Sequence, residues 1–473
     1  MTSSPTPQTR CFTPDQIEQI LGARFSPSAD FLSAPLVTDT RKLTPGCVFV
    51  AFSGENFDAH DFVAEAQTQG ALAAITERLL EGVSLPQLIV PDTRAAFGEL
   101  ASAHRQSMSD LTVIGITGSS GKTTVKEMLG SILSQLAPTL ITEGNLNNDL
   151  GVPMMLLRLK PEHRYAVLEM GANHRGEIAY TANLAKPDIA AVLNIGTAHL
   201  GEFGSQEIIA HTKAEIYSGL GAQGTAVVPS DTPYLEVLEA AASQHSLIKA
   251  GADIKLNSVN QRAFVSSFDL SLNGSDETHA VNLSFSGAHN IQNALMAATL
   301  AHAAGVKLAT IASGLTAARP AKGRLGVTEL PGLTLIDDTY NANFEAALAA
   351  AKILAQTKDD DANNQAIMVL GDIGELGDQS ETIHSDLGAA LSQLKLTQLI
   401  TLGTLTRFTS ISAAKNGLAS RHFDSIEPLL DYLTTQIDQT PATPTTTILV
   451  KGSRFMKMER VIYALTEHFA APT

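Results

Sequence analysis

Eight consecutive residues, Thr117-Gly118-Ser119-Ser120-Gly121-Lys122-Thr123-Thr124, carry the densest chemistry in the chain. Glycines, hydroxyls and a lysine in that order make a cradle for an anion. The glycines let successive backbone N–H groups turn toward one ligand, and a helix opening at the end of the loop adds the partial positive charge of its N-terminus. Lys122 is placed to reach β- and γ-phosphates, and the Thr123 hydroxyl to take a position on Mg2+. The strict phosphate-loop pattern has glycine where Ile116 stands, and Gly118 serves instead. An ordinary Gly/Ser turn capping a helix is the bland alternative, and the flanks argue against it. Thr112 to Ile116 reads as a strand, and Val125, Met128, Leu129, Ile132, Leu133 and Leu136 recur at helical spacing. The loop predicts nucleotide binding.

Three more side chains acquire meaning beside it. Glu169 ends the apolar run Ala166-Val167-Leu168, and His199 follows the run from Ile189 to Ile195. Alone, Glu169 reads as a polar strand terminus before it reads as a second magnesium ligand. A lone loop histidine is likewise more often a hydrogen-bonded surface residue. Both, however, fall with the phosphate loop at the C-terminal ends of strands, where doubly wound sheets bind their ligands. Lys213 is subtler. On a helix predicted from Ser205 to Leu220 it lies on or beside the stripe of Ile209, Ile216 and Leu220. Spacing leaves two readings open: a snorkelling lysine with its charge at the rim, or a desolvated amine able to lose its proton and be modified.

The elements that must position these groups are legible in outline. At 473 residues, 44% apolar and 17% charged, the chain can bury several cores, and roughly 150 residues per domain suggests about three. Thr13-Pro14-Asp15-Gln16 is a helix start with a capping box, and Gly22 a helix stop. Short apolar runs at 48–52 and 88–90, with a helical stretch at 62–69, complete a small α/β unit, and the polar segment from His104 to Asp110 reads as a linker. Alternating apolar residues between Phe264 and Phe285 predict an antiparallel excursion. From about Gly326, apolar runs at 333–336, 367–370, 399–402 and 448–450 alternate with helical stretches, and Gly371, Gly403 and Gly452 follow three of them. That pattern predicts a parallel doubly wound sheet. The expected domains are 1–108, 109–325 and 326–473.

Composition excludes some functions. The formal charge of −16 argues against a general nucleic-acid coat, so an anionic ligand must be gathered by local features. Two cysteines, Cys11 and Cys47, cannot build a disulfide framework or a cysteine-rich zinc site. The start MTSSPTPQTR has no apolar signal-type segment and no apolar run approaches ~18 residues. The expectation is a cytoplasmic, soluble protein without membrane insertion.

These motifs resemble, collinearly over nearly the whole chain, the ATP-dependent Mur ligases of peptidoglycan precursor synthesis. The N-terminal match comprises Asp39-Thr40-Arg41, Pro45-Gly46, Phe49-Val50-Ala51, Gly54-Glu55 and Asp58-Ala59-His60. Thr40 and Ala59 depart mildly from the usual Asp-Ser-Arg and Asp-Gly-His. The central match adds Glu143-Gly144-Asn145 with Asn147-Asn148, Glu169-Met170-Gly171, Gly176-Glu177-Ile178, His199, Phe203-Gly204-Ser205 and Lys213-Ala214-Glu215-Ile216. Gly287-Ala288-His289-Asn290 with Asn293, and Gly323-Arg324, follow. The C-terminal match comprises Asp337-Asp338-Thr339-Tyr340-Asn341-Ala342-Asn343, Leu370-Gly371-Asp372, Glu375-Leu376-Gly377 and Val450-Lys451-Gly452-Ser453-Arg454. Phe344 and Ala346 stand where the family usually has Pro and Ser. The Tyr-Ala-His-Thr-Pro-Asp and Asp-Asn-Pro-Arg strings of the ligase that adds the third peptide residue are missing.

The resemblance implies three domains: a small N-terminal α/β domain for the uridine end of a substrate, a central phosphate-loop ATPase-like domain on a parallel sheet, and a C-terminal Rossmann-like doubly wound domain. It implies ATP and Mg2+ at two sites, with Lys213 carbamylated and sharing the second with Glu169 and His199. Asn290 and Asn293 fall on the adenine side, Arg324 near the nucleotide and Asp338 near its ribose. Thr40, Arg41, Asn145, Asn147, Asn148, Tyr340 and Asn341 fall on substrate. The C-terminal string implies the step joining D-alanyl-D-alanine to UDP-MurNAc-tripeptide through an acyl phosphate, by a monomer with no nucleic-acid partner. Domain closure would precede chemistry. Two rivals stand beside this: an amide ligase of the same fold acting on another carboxylate, and a nucleotide-dependent binding protein without ligase activity. Whether the third peptide residue is lysine or diaminopimelate stays open.

Overall fold

Thr13 accepts the Gln16 amide at 3.2 Å while the Gln16 side chain takes the Thr13 amide at 3.1 Å, so the expected capping box forms and starts the helix Pro14–Leu21. Gly22 ends that helix at φ +63°, a conformation costly to any residue with a Cβ. The structure is a computed structural model that describes residues 10–54, 57–196, 203–261, 265–285, 287–374, 376–439 and 446–470, apart from the Asp360 side chain. It divides into two compact units, Met1–Ile254 with Met296–Ile311, and Lys255–Leu295 with Ala312–Thr473.

The first unit contains two six-stranded sheets. One joins Cys11–Phe12, Ala34–Val37, Val48–Val50, Ala73–Thr76, Gln87–Ile89 and Phe25–Ser26, parallel in its middle and antiparallel at both edges. The other runs, in spatial order, Thr139–Ile141, Tyr165–Glu169, Thr112–Thr117, Ile189–Val192, Thr225–Val228 and Ser246–Lys249, all parallel. Helices on both faces explain why its central strands are apolar throughout: both sides are buried. Of the segment read as a linker, 104–106 belongs to a helix and only 107–110 lies outside regular elements. His104 and Arg105 lie in the last turn of the helix Thr93–Gln106 and are buried, with Leu159 O partnering His104 Nε2 at 3.0 Å and Ala185 O accepting from Arg105 Nε at 3.0 Å, while His104 Nδ1 has no partner. The helix predicted over 205–220 is α-helical only from Gln206 to Ala214, then tightens to a 3-10 turn over Glu215–Gly219.

The expected antiparallel excursion is the pair Ser266–Leu272 and Thr278–Leu283, which shares a three-stranded sheet with Ile254–Gln261. The main sheet of the second unit has the spatial order Gly326–Leu330, Leu333–Asp338, Thr446–Lys451, Gln365–Gly371, Gln398–Leu402 and Ser420–Phe423. Five strands are parallel, and the Gly326–Leu330 edge is antiparallel, since a hairpin at Pro331–Gly332 feeds it directly to its neighbour. Separate apolar layers centred on Leu354 and Met368, and on Leu433 and Ile448, cover the two faces. That is the doubly wound arrangement.

Asp372 knots this sheet's C-terminal edge. It is buried, yet its carboxylate takes the amides of Thr404, Leu405 and Thr406 at 2.9, 3.0 and 2.8 Å and both threonine hydroxyls. Burial alone would push its carboxyl up; those donors more than offset that and hold it below the usual carboxylate value. Asp372→Ala is therefore expected to cost about 3 kcal/mol in urea denaturation at pH 7, because it orphans buried donors at a helix start. A depressed pKa contributes stability above the unfolded value near 4, lost as pH falls through the folded one. The wild-type advantage over the variant should shrink accordingly on acidification, and a constant advantage down to pH 3 would refute this account.

Candidate active site

The strand Thr112–Thr117 lies between Tyr165–Glu169 and Ile189–Val192, so the chain departs to either side of it and leaves a crevice at the strand ends. Into that crevice run the glycine loop and the helix Lys122–Leu133. Gly121, at φ +80°, turns the loop into the helix. The loop is anchored from across the crevice. Asn194 takes the Ser119 amide on its carbonyl at 3.2 Å and the Ser120 amide on Oδ1 at 3.0 Å, and donates Nδ2 to Ser120 O at 3.0 Å. The Ser119 hydroxyl accepts the Gly196 amide at 2.8 Å. Lys122 is half-buried and folds back to donate to Gly118 O at 2.6 Å, so its ammonium lies within the loop it serves.

Glu169 faces this loop from the neighbouring strand. Its side chain is buried, its amide bonds to Thr142 Oγ1 at 2.9 Å, and Thr123 Oγ1 donates to its Oε2 at 3.4 Å. The other oxygen, Oε1, has no hydrogen-bond partner. A buried carboxylate oxygen without a hydrogen-bond donor is suited to a cation. Among the described residues no group of three or more His, Cys, Asp or Glu could hold a metal. A hydroxyl and one carboxylate, completed by phosphate and water, nevertheless suit Mg2+, which takes few protein ligands. The residues fit the ion.

Lys213 is buried on the helix Gln206–Ala214, its Nζ 6.0 Å from the Phe203 ring centroid. Desolvation, reinforced by the charge of Lys122 and opposed by Glu215 and Glu177, pushes its pKa down to about 8. Only 3% of Lys213 is exposed, which favours the desolvated reading over a snorkelling lysine. Glu215 is committed elsewhere, its carboxylate taking the Gly176 and Ala179 amides at the start of the helix Glu177–Ala185. The motif Asn145–Asn148 is tied to the same region, since Asn147 O takes the Gly171 amide at 2.7 Å and Asn148 Oδ1 takes the Gly151 amide at 2.8 Å. His199 lies outside the described residues.

Farther toward the N-terminus, Thr40 and Arg41 ride a 3-10 turn capped by Asp39, to whose carboxylate the exposed Arg41 makes a forked pair at 2.9 and 2.8 Å. Asp58 and His60 form a network with Ser53, Glu77, Arg78 and Thr93. The Glu77 amide donates to His60 Nε2 at 2.8 Å, which leaves the proton on Nδ1, 2.6 Å from Asp58 Oδ1. Arg78 on the same carboxylate holds Asp58 well below the usual range.

The second unit holds the remaining candidates. Asn290 and Asn293 are buried on one face of the helix Ala288–Ala303, with Asn293 Nδ2 donating to Asn290 Oδ1 at 2.8 Å. Arg324 stacks 4.3 Å from the Tyr340 ring centroid. Gly323, at φ +75°, lets the chain pass so close to Tyr340 that a Cβ would lie 3.0 Å from its amide, which bonds to Gly323 O. Asp338 pairs with the buried Lys451 at 2.6 Å, and Lys451 also reaches Asn341 O at 3.0 Å. Arg324, Asp338, Tyr340 and Asn341 are thereby brought to one strand end. Sequence reasoning singled out neither Asn194 nor Lys451 as a site residue; a polar residue ending an apolar strand was the available signal for both. Lys126, beside Glu169, lay concealed in a helix.

The chain resembles known proteins over most of its length. Residues 116–301 match the model of the Mur ligase middle domain, and residues 323–454 that of the Mur ligase glutamate ligase domain. A curated UDP-N-acetylmuramoyl-tripeptide–D-alanyl-D-alanine ligase of Escherichia coli (strain K12) is 42% identical, covering 96% of this chain and 98% of that protein. The enzyme of the same name from Bacillus subtilis (strain 168) is 34% identical over 91% and 93%. A crystal structure of MurF from Acinetobacter baumannii superposes with a TM-score of 0.90 at 42% identity, covering 98% of this chain and 100% of that one. MurF ligase from Thermotoga maritima in complex with ADP gives 0.77 at 27%, over 92% and 98%. By its motifs, its fold and these likenesses, the chain belongs to the Mur ligase family.

Proposed function

We infer that this chain is an ATP-dependent amide ligase of peptidoglycan synthesis, joining D-alanyl-D-alanine to UDP-N-acetylmuramoyl-tripeptide and releasing ADP and phosphate. The observation that carries this is near full-length likeness to proteins named for that reaction, with the phosphate loop intact around Lys122. The terminal carboxylate of the tripeptide attacks the γ-phosphorus and ADP departs, leaving an acyl phosphate. The amine of D-alanyl-D-alanine then adds to that carbonyl, loses a proton, and the tetrahedral intermediate collapses with departure of phosphate. Two anions must meet in the first step, so neutralisation and positioning dominate and no side-chain nucleophile is required.

Lys122 and the loop amides of Thr117 to Thr124 bind the phosphates. Thr123 and Glu169 would hold one Mg2+. Lys213, converted to a carbamate, would hold a second with Glu169 and His199. Bound there, the metal supplies charge neutralisation at phosphate oxygens. The carbamate forms when the neutral amine of Lys213 adds to the carbon of CO2 and gives up a proton. A pKa near 8 supports this, since it leaves roughly a tenth of the amine neutral at pH 7. Asn290 and Asn293 take the adenine side, Arg324 and Asp338 the phosphate and ribose. Thr40 and Arg41 take the uridine end, and Asn145, Asn147, Asn148, Tyr340 and Asn341 the peptide and dipeptide. Domain boundaries at 108/109 and 325/326 are supported by the six-stranded sheets, which fall in 11–89, 112–249 and 326–451. In this reading the enzyme acts as a cytoplasmic monomer. No helix among the described residues is long and apolar enough to cross a membrane.

Phosphate release by the full chain with Mg-ATP, UDP-MurNAc-tripeptide and D-alanyl-D-alanine, omitting one component at a time, tests this. Release should require all three and give a pentapeptide product by mass. Release without D-alanyl-D-alanine, or with a single amino acid in its place, would overturn the assigned step.

A further inference from the structure

Lys126 is buried one helical turn beyond Lys122, with 4% of its surface exposed. Its ammonium is tethered twice, to Glu127 Oε1 and to Thr142 O, each at 2.8 Å. The third approach is to Glu169 Oε1 at 3.8 Å, close enough for an ion pair and too long for a hydrogen bond. That oxygen is the one left without a donor. Thr142 contributes again, as its hydroxyl receives the Glu169 amide at 2.9 Å. The Glu169 carboxylate is thus held in place by a fixed neighbouring charge that does not occupy its free lone pairs.

We propose that Lys126 is a positioning residue that serves as a standing counter-ion to Glu169: it keeps the carboxylate tolerable when no metal is bound, and its persistent charge keeps the metal weakly held and exchangeable. The inference rests on Glu169 being a metal ligand. Its logic is electrostatic. Burying a carboxylate is costly without a nearby cation. Lys126 cannot swing away when a metal arrives, because Glu127 and the Thr142 carbonyl hold it. Its charge, offset only in part by Glu127, therefore repels an incoming cation at short range. A residue present only for packing would have no such opposed effects.

Mn2+ binding to the nucleotide-free full chain, read by loss of the free-ion electron paramagnetic resonance signal, tests this together with thermal melts. Lys126→Gln removes the charge and keeps a donor for Thr142 O. It should bind Mn2+ about tenfold more tightly than wild type, melt at lower temperature without metal, and gain more from added metal. Lys126→Arg, which keeps the charge, should restore near wild-type affinity. Should Lys126→Gln not fold, the Lys126→Met and Lys126→Arg pair gives the same comparison. Unchanged or weaker Mn2+ binding in the neutral variants, while Glu169→Gln abolishes binding, overturns this inference alone. Binding that survives in Glu169→Gln removes the ligand role of Glu169 and the inference with it.

Discussion

Lys122→Ala is expected to lower kcat/KM for ATP-dependent phosphate release by about a thousandfold or more, with the melting temperature within a few degrees of wild type. The asymmetry follows from where the side chain sits. Its ammonium donates to Gly118 O at 2.6 Å, within a loop that Asn194 and Gly196 anchor independently. Removing a half-buried lysine with such a bond costs about 1 kcal/mol or less. It also relieves repulsion on Lys213, whose depressed pKa owes part of its shift to Lys122. Turnover has no such substitute: transfer brings a carboxylate against a polyphosphate on a protein of net charge −16, and a preorganised cation is what the transition state requires. Kinetics and a melt on the same preparation check this. A variant that is unfolded under native conditions, or that retains a tenth of the activity, would count against the role given to Lys122.

Lys213→Met should do two opposite things. Activity should fall by at least a hundredfold, since a methionine cannot be carbamylated or hold a metal. Stability at pH 7 should rise by up to about 3 kcal/mol, from a pKa held near 8 in the fold against 10.5 outside it. The sign is as follows: a lysine whose folded pKa is depressed is a burden wherever both states are protonated, so the cost is whole below pH 8. Between 8 and 10.5 the unfolded chain binds the extra proton, and wild-type stability climbs relative to the variant. Urea denaturation of both proteins at pH 7 and pH 10, in CO2-free buffer, measures the gap directly. If the variant is the less stable at pH 7, or the gap is the same at both pH values, the buried amine is not the strained group described here. Activity of the wild type should also depend on dissolved CO2, and chelation of divalent metal should abolish it.

Much of the site was legible because its signals are local. The phosphate loop is one stretch of chain whose glycines, hydroxyls and lysine act through neighbouring amides, and the strand and helix around it carry their own periodicity. The capping box at Thr13 and Gln16 is equally local, and it forms. Where a residue's fate depends on distant partners, composition misleads. His104 and Arg105 look like linker residues because they are polar, yet Leu159 and Ala185 supply carbonyls that let them be buried. Asp372 stands in the sequence as one acid after a glycine, and only the approach of Thr404 to Thr406 makes it a buried helix cap.

The sequence by itself determined the three α/β layers, the family, and the identity of nearly every group proposed for the chemistry, because strand and helix periodicity and motif spacing are properties of short segments. Tertiary structure alone decided the electrostatic state of those groups. Spacing left Lys213 open between a rim lysine and a desolvated amine; its burial in the fold favours the second, because the penalty for a charge depends on what surrounds it in space. The same holds for Lys126, which becomes a partner of Glu169 only when two parallel strands set Thr142 and Glu169 beside the helix that follows the phosphate loop. Residue type is carried by one position in the chain, whereas field and solvent access are carried by the whole fold.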